Sequence, residues 1–399
     1  MKTRILVFLN YRGDNMKRIK QNKLAIPNYN KHNLIDLLRV LYNYCGINYK
    51  VNNNMKEIRK DVKNNKNIIF ILVDGLGYNL VNTLPNDSII KKNLKRKLNT
   101  VFPTATGCVL NSVITGQYPS KTGFFGWYAY NRENNIPYYT LLLNNRITNE
   151  NLKLDDKDIF KYDSIFNKFN RNTNIVFPEF LLTSRFSKHV IGKNKSYGYK
   201  DYEDAFNIIS NIIKDKNETF TYLYLPEIDT LEHKNGVYKE IVYNKINELE
   251  KALTSFARNN SNFEIVLTAD HGQVDIENII TMDFDKYNKY FYTLPSIDLG
   301  TTTFFVKEEY KEIFKKEFEK DFRDSMILYK TKDLINNNFF GKNMTKYAEN
   351  CLGEYVSLCK KGYAFYNRVN KYTEEDRIYG NHTGLTKEEI EIPLIVINK

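Results

Sequence analysis

The sequence is short of the residues that mark several protein classes. Its 399 residues include four cysteines, nine prolines, eighteen glycines and one tryptophan. Cys45, Cys108, Cys351 and Cys359 show neither CxxC spacing nor the density of a disulfide-stapled secreted domain, so a reduced compartment is expected. No run of 18 apolar residues occurs, and no membrane span is expected. The apolar stretch near the start, Ile5 to Leu9, is shorter than a secretory core segment and runs into charge instead of a small-residue cleavage site. Cytoplasmic localisation follows as an expectation. The first fifteen residues carry no motif, which makes Met16 an alternative start. Internal repeats and long low-complexity linkers are also missing.

What is present is enough to build a large core. Hydrophobic residues make up 42% of the chain and aromatics 14%, which excludes a disordered protein. The net charge is +12, yet the lysines are spread among many asparagines with no basic run, so no dedicated nucleic-acid patch is expected. Such a field still favours an anionic substrate.

Four short runs rich in β-branched and aromatic residues read as strands buried on both faces: Asn67 to Val73, Thr219 to Leu225, Phe263 to Thr268 and Ile392 to Ile397. Between them the apolar spacing predicts helices over 34–44, 204–213, 238–256 and 308–322. Strands alternating with helices imply an α/β fold with a largely parallel central sheet and helices on both faces. Residues 1–66 read as a helical lead-in. Residues 67–399 read as one large domain with cap insertions at about 128–216 and 287–373.

Three of the expected strands run directly into acids or histidines. The first ends on Asp74-Gly75, the second is followed by Asp229 and His233, and the third ends on Asp270-His271-Gly272. In an α/β sheet the crevice outside the carboxyl ends of the strands is the usual ligand site, so these groups can converge. Several carboxylates gathered at one dry edge would repel unless a cation neutralised them, and histidines supply the nitrogen ligands of transition metals. Asp229 and His233, four apart, share a face if helical; an exposed helical ion pair is the plainer reading of that pair alone. His382, in a turn before the last strand, can complete the set. His32 and His189 have no such context and are taken as surface or core residues.

One further segment carries chemistry. Phe102 to Gly107 leads into an apolar stretch that reads as a helix closed by Thr115-Gly116, which places Thr106 at a helix N-terminus. Such a threonine is ordinarily a cap. Next to a metal its hydroxyl can instead ionise and attack phosphorus.

In order, Asp74-Gly75, Pro103-Thr104-Ala105-Thr106 with Thr115-Gly116 and Tyr118-Pro119 following, Asp229-x-x-x-His233, Asp270-His271-Gly272 and His382 resemble the signature of the alkaline phosphatase superfamily. Within it the likeness is to the type I phosphodiesterase and nucleotide pyrophosphatase branch, over residues from about 67 to the end. The resemblance implies an alkaline phosphatase-like fold and two divalent ions roughly 4 Å apart. They would be zinc, with manganese as the alternative. Asp229, His233 and His382 would hold one; Asp74, Asp270, His271 and the Thr106 oxygen would hold the other. It also implies that Thr106, not Thr104, is the nucleophile, forming a phosphothreonine that water then cleaves. The expected partner is a small phosphate ester.

The sequence departs from that branch after the nucleophile, where Gly107, Cys108 and Val109 stand in place of Phe-Pro-Asn. Phe125 and Trp127 are expected to line the substrate pocket, with an ordinary packed core as the other reading. A phosphomonoesterase or phosphonate hydrolase of the same superfamily is the alternative activity, and a non-catalytic metal-binding scaffold the alternative class. A sulfatase is disfavoured by the lack of a Cys-x-Pro-Ser-Arg motif, and a phosphomutase by the lack of its serine motif.

Overall fold

The computed structural model describes residues 19–366 and 372–399. Met16 and the Ile5 to Leu9 stretch lie outside the described residues. The central sheet has seven strands: β1 (Asn67–Val73), β2 (Leu94–Asn99), β3 (Asn172–Pro178), β4 (Lys195–Tyr199), β5 (Thr219–Leu225), β6 (Phe263–Ala269) and β7 (Glu391–Asn398). Their spatial order is β2-β7-β6-β1-β5-β3-β4. Every residue of β1, β5 and β6 is buried, as continuous apolar runs in the middle of a parallel sheet should be. Strand β1 pairs in parallel with β5 on one side and β6 on the other.

Only β7 runs against the others; it pairs antiparallel with both β6 and β2. Pro393 lies inside this strand, where its missing N–H would break a regular ladder. The register shifts immediately after it, between Leu394 and Ile395, which is how an interior strand tolerates proline. The Pro393 carbonyl accepts a bond from Thr268 Oγ1 at 2.6 Å.

Helices flank the sheet: α1 (Leu34–Tyr44), α2 (Thr106–Thr115), α3 (Tyr202–Ile212), α4 (Glu227–Asn235) and α5 (Glu240–Asn259). Asn33 caps α1 by accepting from the Asp36 N–H at 3.0 Å, and Asp201 caps α3 by accepting from Asp204 at 2.8 Å. Leu34, Leu37, Leu38 and Leu41 of α1 enter the main core, so this part of the N-terminal segment is a layer of the central domain. No helix among the described residues is long and apolar enough to cross a membrane.

The fold differs from the sequence reading at the first insertion. Residues 172–212 do not cap the sheet; β3 and β4 extend it beyond β5. The cap proper is a six-stranded antiparallel sheet in the order 326–330, 355–359, 301–304, 296–297, 128–131, 136–139. It draws on both expected insertions and joins them through a bridge between Ile297 and Tyr128. Its core is aromatic, with Phe304, Phe314, Phe318, Phe322 and Tyr355 packed together.

Candidate active site

The sheet's carboxyl edge gathers the expected residues. Asp74 follows β1, and its N–H extends the ladder to the Leu225 carbonyl at 2.9 Å. Its Oδ2 accepts from the Tyr224 hydroxyl at 2.5 Å, while Oδ1 is buried without a hydrogen-bond partner among the described residues. Asp270 follows β6. Its Oδ1 takes the N–H groups of Gly75 at 3.2 Å and His271 at 2.8 Å, and its Oδ2 is also left without one. His271 Nε2 lies 3.1 Å from Asp270 Oδ2, 3.4 Å from Asp74 Oδ1 and 3.2 Å from Thr106 Oγ1. Two carboxylate oxygens, an imidazole nitrogen and a hydroxyl thus converge from three different elements.

Gly75 has φ of +80°, and a Cβ there would lie 2.5 Å from Glu232 Oε2 and 2.9 Å from Asp229 Cα. Only glycine lets β1 end so close to α4. On α4 the four-residue spacing puts Asp229 and His233 on one face, with His233 Nε2 3.4 Å from Asp229 Oδ1. His382 Nε2 comes within 3.8 Å of the same oxygen. Both histidines face backbone carbonyls through Nδ1, His233 at Gly380 and His382 at Thr104, each at 2.8 Å. A carbonyl partner fixes the proton on Nδ1 and turns the Nε2 lone pair toward the site.

The histidine rings are close: His271 stacks on His382 with 3.8 Å between centroids, and His233 is 5.0 Å from His382. Ligand atoms of Asp74, Asp270 and His271 lie within 4.8 Å of one another, as do those of Asp229, His271 and His382. His271 therefore stands between the two groups, and His233 flanks the second.

Electrostatics separate these residues from ordinary surface charges. Burial, then repulsion from Asp229, holds the Asp74 carboxyl well above the usual range; burial and Asp74 do the same to Asp270. Asp229 is raised by burial and Asp270. The histidines shift the other way: burial and then His233 push His382 down to about 3, and burial drives His271 well below its usual value. Acids that resist ionising and histidines that resist protonation, side by side, are the donor set a divalent cation requires. The unpartnered buried atoms of Asp74 and Asp270 fit the same group.

Thr106 opens α2, but it is not the cap. Ala105 holds that position in extended conformation with no side-chain bond, and Thr106 is the first helical residue. Its hydroxyl is thus available to the cluster. Thr104, the other threonine of the segment, is fully buried. Its hydroxyl donates to the Gly384 carbonyl at 3.0 Å, and its own carbonyl takes the His382 ring and the Thr383 N–H. Thr383 has φ of +78°, strained for a β-branched residue, and is pinned there by bonds from the Gly300 N–H and Thr301 hydroxyl. The cap sheet thereby braces the turn that carries His382.

Immediately after Thr106, Gly107 has no room for a side chain. A Cβ there would meet Thr140 Oγ1 at 2.6 Å and the Gly126 carbonyl at 3.1 Å. Gly107→Ala is expected to cost about 1–3 kcal/mol of stability through overpacking and to lower turnover by shifting Thr106. Thermal melting and steady-state kinetics on one preparation check this.

The expected aromatic lining is corrected in part. Phe125 is 3% exposed and packs edge-on against Phe340 at 5.1 Å, in a core that also holds Phe102 of the segment leading into α2. Trp127 is partly exposed, against Tyr139. His189 stacks on Phe160 and His32 lies beside Arg96, both away from the cluster. A groove of about 690 Å³ between α3 and α5 holds none of the site residues.

Three contributors escaped the sequence reading: Tyr224, whose hydroxyl binds Asp74; Gln273, which donates to Asp229; and Glu232, a fully buried carboxyl with both oxygens unpartnered. Their sequence signal was position alone, since each stands within five residues of an expected ligand.

The model of the type I phosphodiesterase / nucleotide pyrophosphatase family matches residues 68–384. The chain belongs to that family. It is a hydrolase of the alkaline phosphatase superfamily, whose enzymes use divalent metals. No curated protein matches the chain. Among solved structures, murine ectonucleotide pyrophosphatase / phosphodiesterase 5 is similar with a TM-score of 0.63 at 16% identity, over 83% of this chain and 88% of that one. An inactive form of the murine protein in complex with AMP gives 0.59 at 16%, over 82% and 87%. Phosphonoacetate hydrolase from Sinorhizobium meliloti 1021, in complex with phosphonoformate, gives 0.59 at 15%, over 82% and 89%. At these identities the likeness is one of fold, and it extends the family's α/β architecture over most of this chain.

Proposed function

We propose that this member of the family hydrolyses a phosphodiester or pyrophosphate with Thr106 as nucleophile, using two zinc ions. Asp229, His233 and His382 would hold the ion of the first site; Asp74, Asp270, His271 and Thr106 would hold that of the second. When bound, the ions supply Lewis acidity that draws charge from the phosphoryl oxygens and lowers the pKa of a hydroxyl they touch. The observation that carries the reading is Thr106 Oγ1 beside His271 Nε2, with the open oxygens of Asp74 and Asp270 next to that nitrogen.

The chain's own residues would act as follows. Thr106 Oγ1 gives its proton to solvent and forms a bond to phosphorus as the bond to the leaving oxygen breaks, and that oxygen takes a proton from solvent in turn. Water then cleaves the Thr106 phosphoester and restores the hydroxyl. The first N–H groups of α2 have no partner within the helix and, with its dipole, favour a phosphoryl oxygen at this end. Tyr224 and the N–H groups of Gly75 and His271 hold the carboxylates so that one oxygen of each stays available.

A second reading, a phosphonate hydrolase or phosphomonoesterase, is favoured by the residues after the nucleophile. Gly107, Cys108 and Val109 are all buried and present no side-chain donor or aromatic wall. The test is hydrolysis of bis-p-nitrophenyl phosphate, p-nitrophenyl phosphate and phosphonoacetate by protein loaded with zinc or manganese. Diester cleavage is the expected result. Activity confined to the monoester or the phosphonate would replace the first reading with the second, and inactivity on all three with metal bound would favour a scaffold.

A further inference from the structure

Gln273 follows the Asp270-His271-Gly272 segment, and it is 1% exposed. Its Nε2 donates both to the Asp229 carbonyl, at 3.2 Å, and to Asp229 Oδ1. Next along the chain, residues 274–275 pair antiparallel with residues 380–381, directly before His382. Gly380 in that pair supplies the carbonyl bound to His233 Nδ1. The neighbouring Tyr379 N–H reaches the His233 carbonyl at 2.8 Å, and the Ile276 N–H reaches the Tyr379 carbonyl at 2.8 Å. The four residues 273–276 therefore touch the supports of Asp229, His233 and His382 together, with Gln273 as their only side-chain bond to a carboxylate of the set.

Charge explains why a donor is needed there and why it is an amide. Asp229 lies beside other carboxyls: the same Gly75 position that abuts its Cα also abuts Glu232 Oε2, and Asp74 takes the Asp229 N–H on its carbonyl. Left to itself, a carboxylate at the start of a partly exposed helix would turn outward to water. A lysine or arginine at position 273 would restrain it, but would also supply the positive charge a cation is meant to bring. A neutral amide restrains Asp229 and leaves its charge for the ion. The other carboxylates are held independently, Asp74 by Tyr224 and Asp270 by the N–H groups of Gly75 and His271.

We infer that Gln273 is a positioning residue that holds Asp229 in its ion-binding orientation and thereby sets the affinity of the first site, leaving the second unchanged. This rests on the two-ion reading above. The substitution to make is Gln273→Met, of similar size but without donors, and the measurement is titration of metal-free protein with Co2+, followed by its d–d absorption. Wild type is expected to take up two equivalents. The variant is expected to bind one with wild-type affinity and the other about 10–100-fold more weakly, with the visible band of that equivalent displaced to higher cobalt. The retained equivalent, with an unchanged melting curve of the metal-free protein, reports an intact fold. Two equivalents at wild-type affinity in Gln273→Met would overturn the inference. So would loss of both ions with a lowered melting temperature, which would make Gln273 a packing residue. Fewer than two equivalents in wild type would instead remove the two-ion reading itself.

Discussion

Thr106→Ala is expected to lower kcat by roughly 10,000-fold or more, which corresponds to about 5 kcal/mol of lost transition-state stabilisation. The variant removes the attacking atom and little else, because the hydrogen-bond partner of Thr106 Oγ1 among the described residues is His271 Nε2 and the cap position of the helix is Ala105. The carboxylates and histidines are untouched, so metal content should fall by no more than the contribution of one hydroxyl ligand. Thr106→Ser restores a hydroxyl at the same place and is expected to recover a measurable part of the rate. Stopping the wild-type reaction on bis-p-nitrophenyl phosphate in acid should trap a nitrophenyl phosphoryl group on Thr106, detectable by peptide mass, and the alanine variant should trap none. Full activity in Thr106→Ala would sink the nucleophile assignment, while loss of activity with loss of both ions would show that the substitution had disturbed the site as a whole.

Chelation should have the second large effect, on both rate and stability. Stripping the protein with a strong chelator is expected to abolish turnover and to lower the melting temperature by several degrees. An ion at about 1,000 times its Kd adds about 4 kcal/mol to folding stability at each site, provided the unfolded chain does not bind it. Its loss leaves Asp74 Oδ1 and Asp270 Oδ2 buried without partners, beside acids whose ionised forms burial and mutual repulsion already disfavour. Restoring zinc should recover both properties, and manganese should recover them to a different degree. The checks are differential scanning calorimetry and a rate assay on the same stripped and reloaded samples. A melting curve indifferent to chelator would argue that the cluster carries no resident ion.

Strands β1 and β5 were legible in the sequence to the residue, and β6 and β7 to within one residue at their ends, because these are mostly apolar runs buried on both faces; β2, with Lys95, Arg96 and Lys97, was not read as a strand. The acids and histidines could be assigned to one edge for the same reason: parallel strands send all their carboxyl ends the same way. Strands β3 and β4 were hidden. Asn172-Thr173-Asn174 opens β3 with polar residues, and β4 is an exposed edge strand of Lys195, Ser196 and Tyr197, so neither has the pattern of a core strand. The cap sheet was illegible as a sheet because its two locally paired parts, 128–139 and 296–359, stand more than a hundred residues apart and join through the bridge between Ile297 and Tyr128, which leaves no local signal. Phe125 was left between a pocket lining and a packed core for a related reason. Apolar character marks a residue as buried against something, and only the fold shows that the something is Phe340 rather than substrate.

The reversed direction of β7 has a practical side. Because this strand runs opposite to its neighbours, its beginning lies where theirs end, and His382 reaches the carboxyl edge of the sheet before the strand instead of after it. Its far end, where Lys399 exchanges backbone hydrogen bonds with Phe263 at the start of β6, emerges at the other edge of the sheet. A surface tether or reporter fused through a short linker after Lys399 would sit a full strand length from Thr106. The protein immobilised at that position would present the side that carries Thr106 to solution, whereas deleting residues 395–398 would unpick a strand that lies inside the sheet.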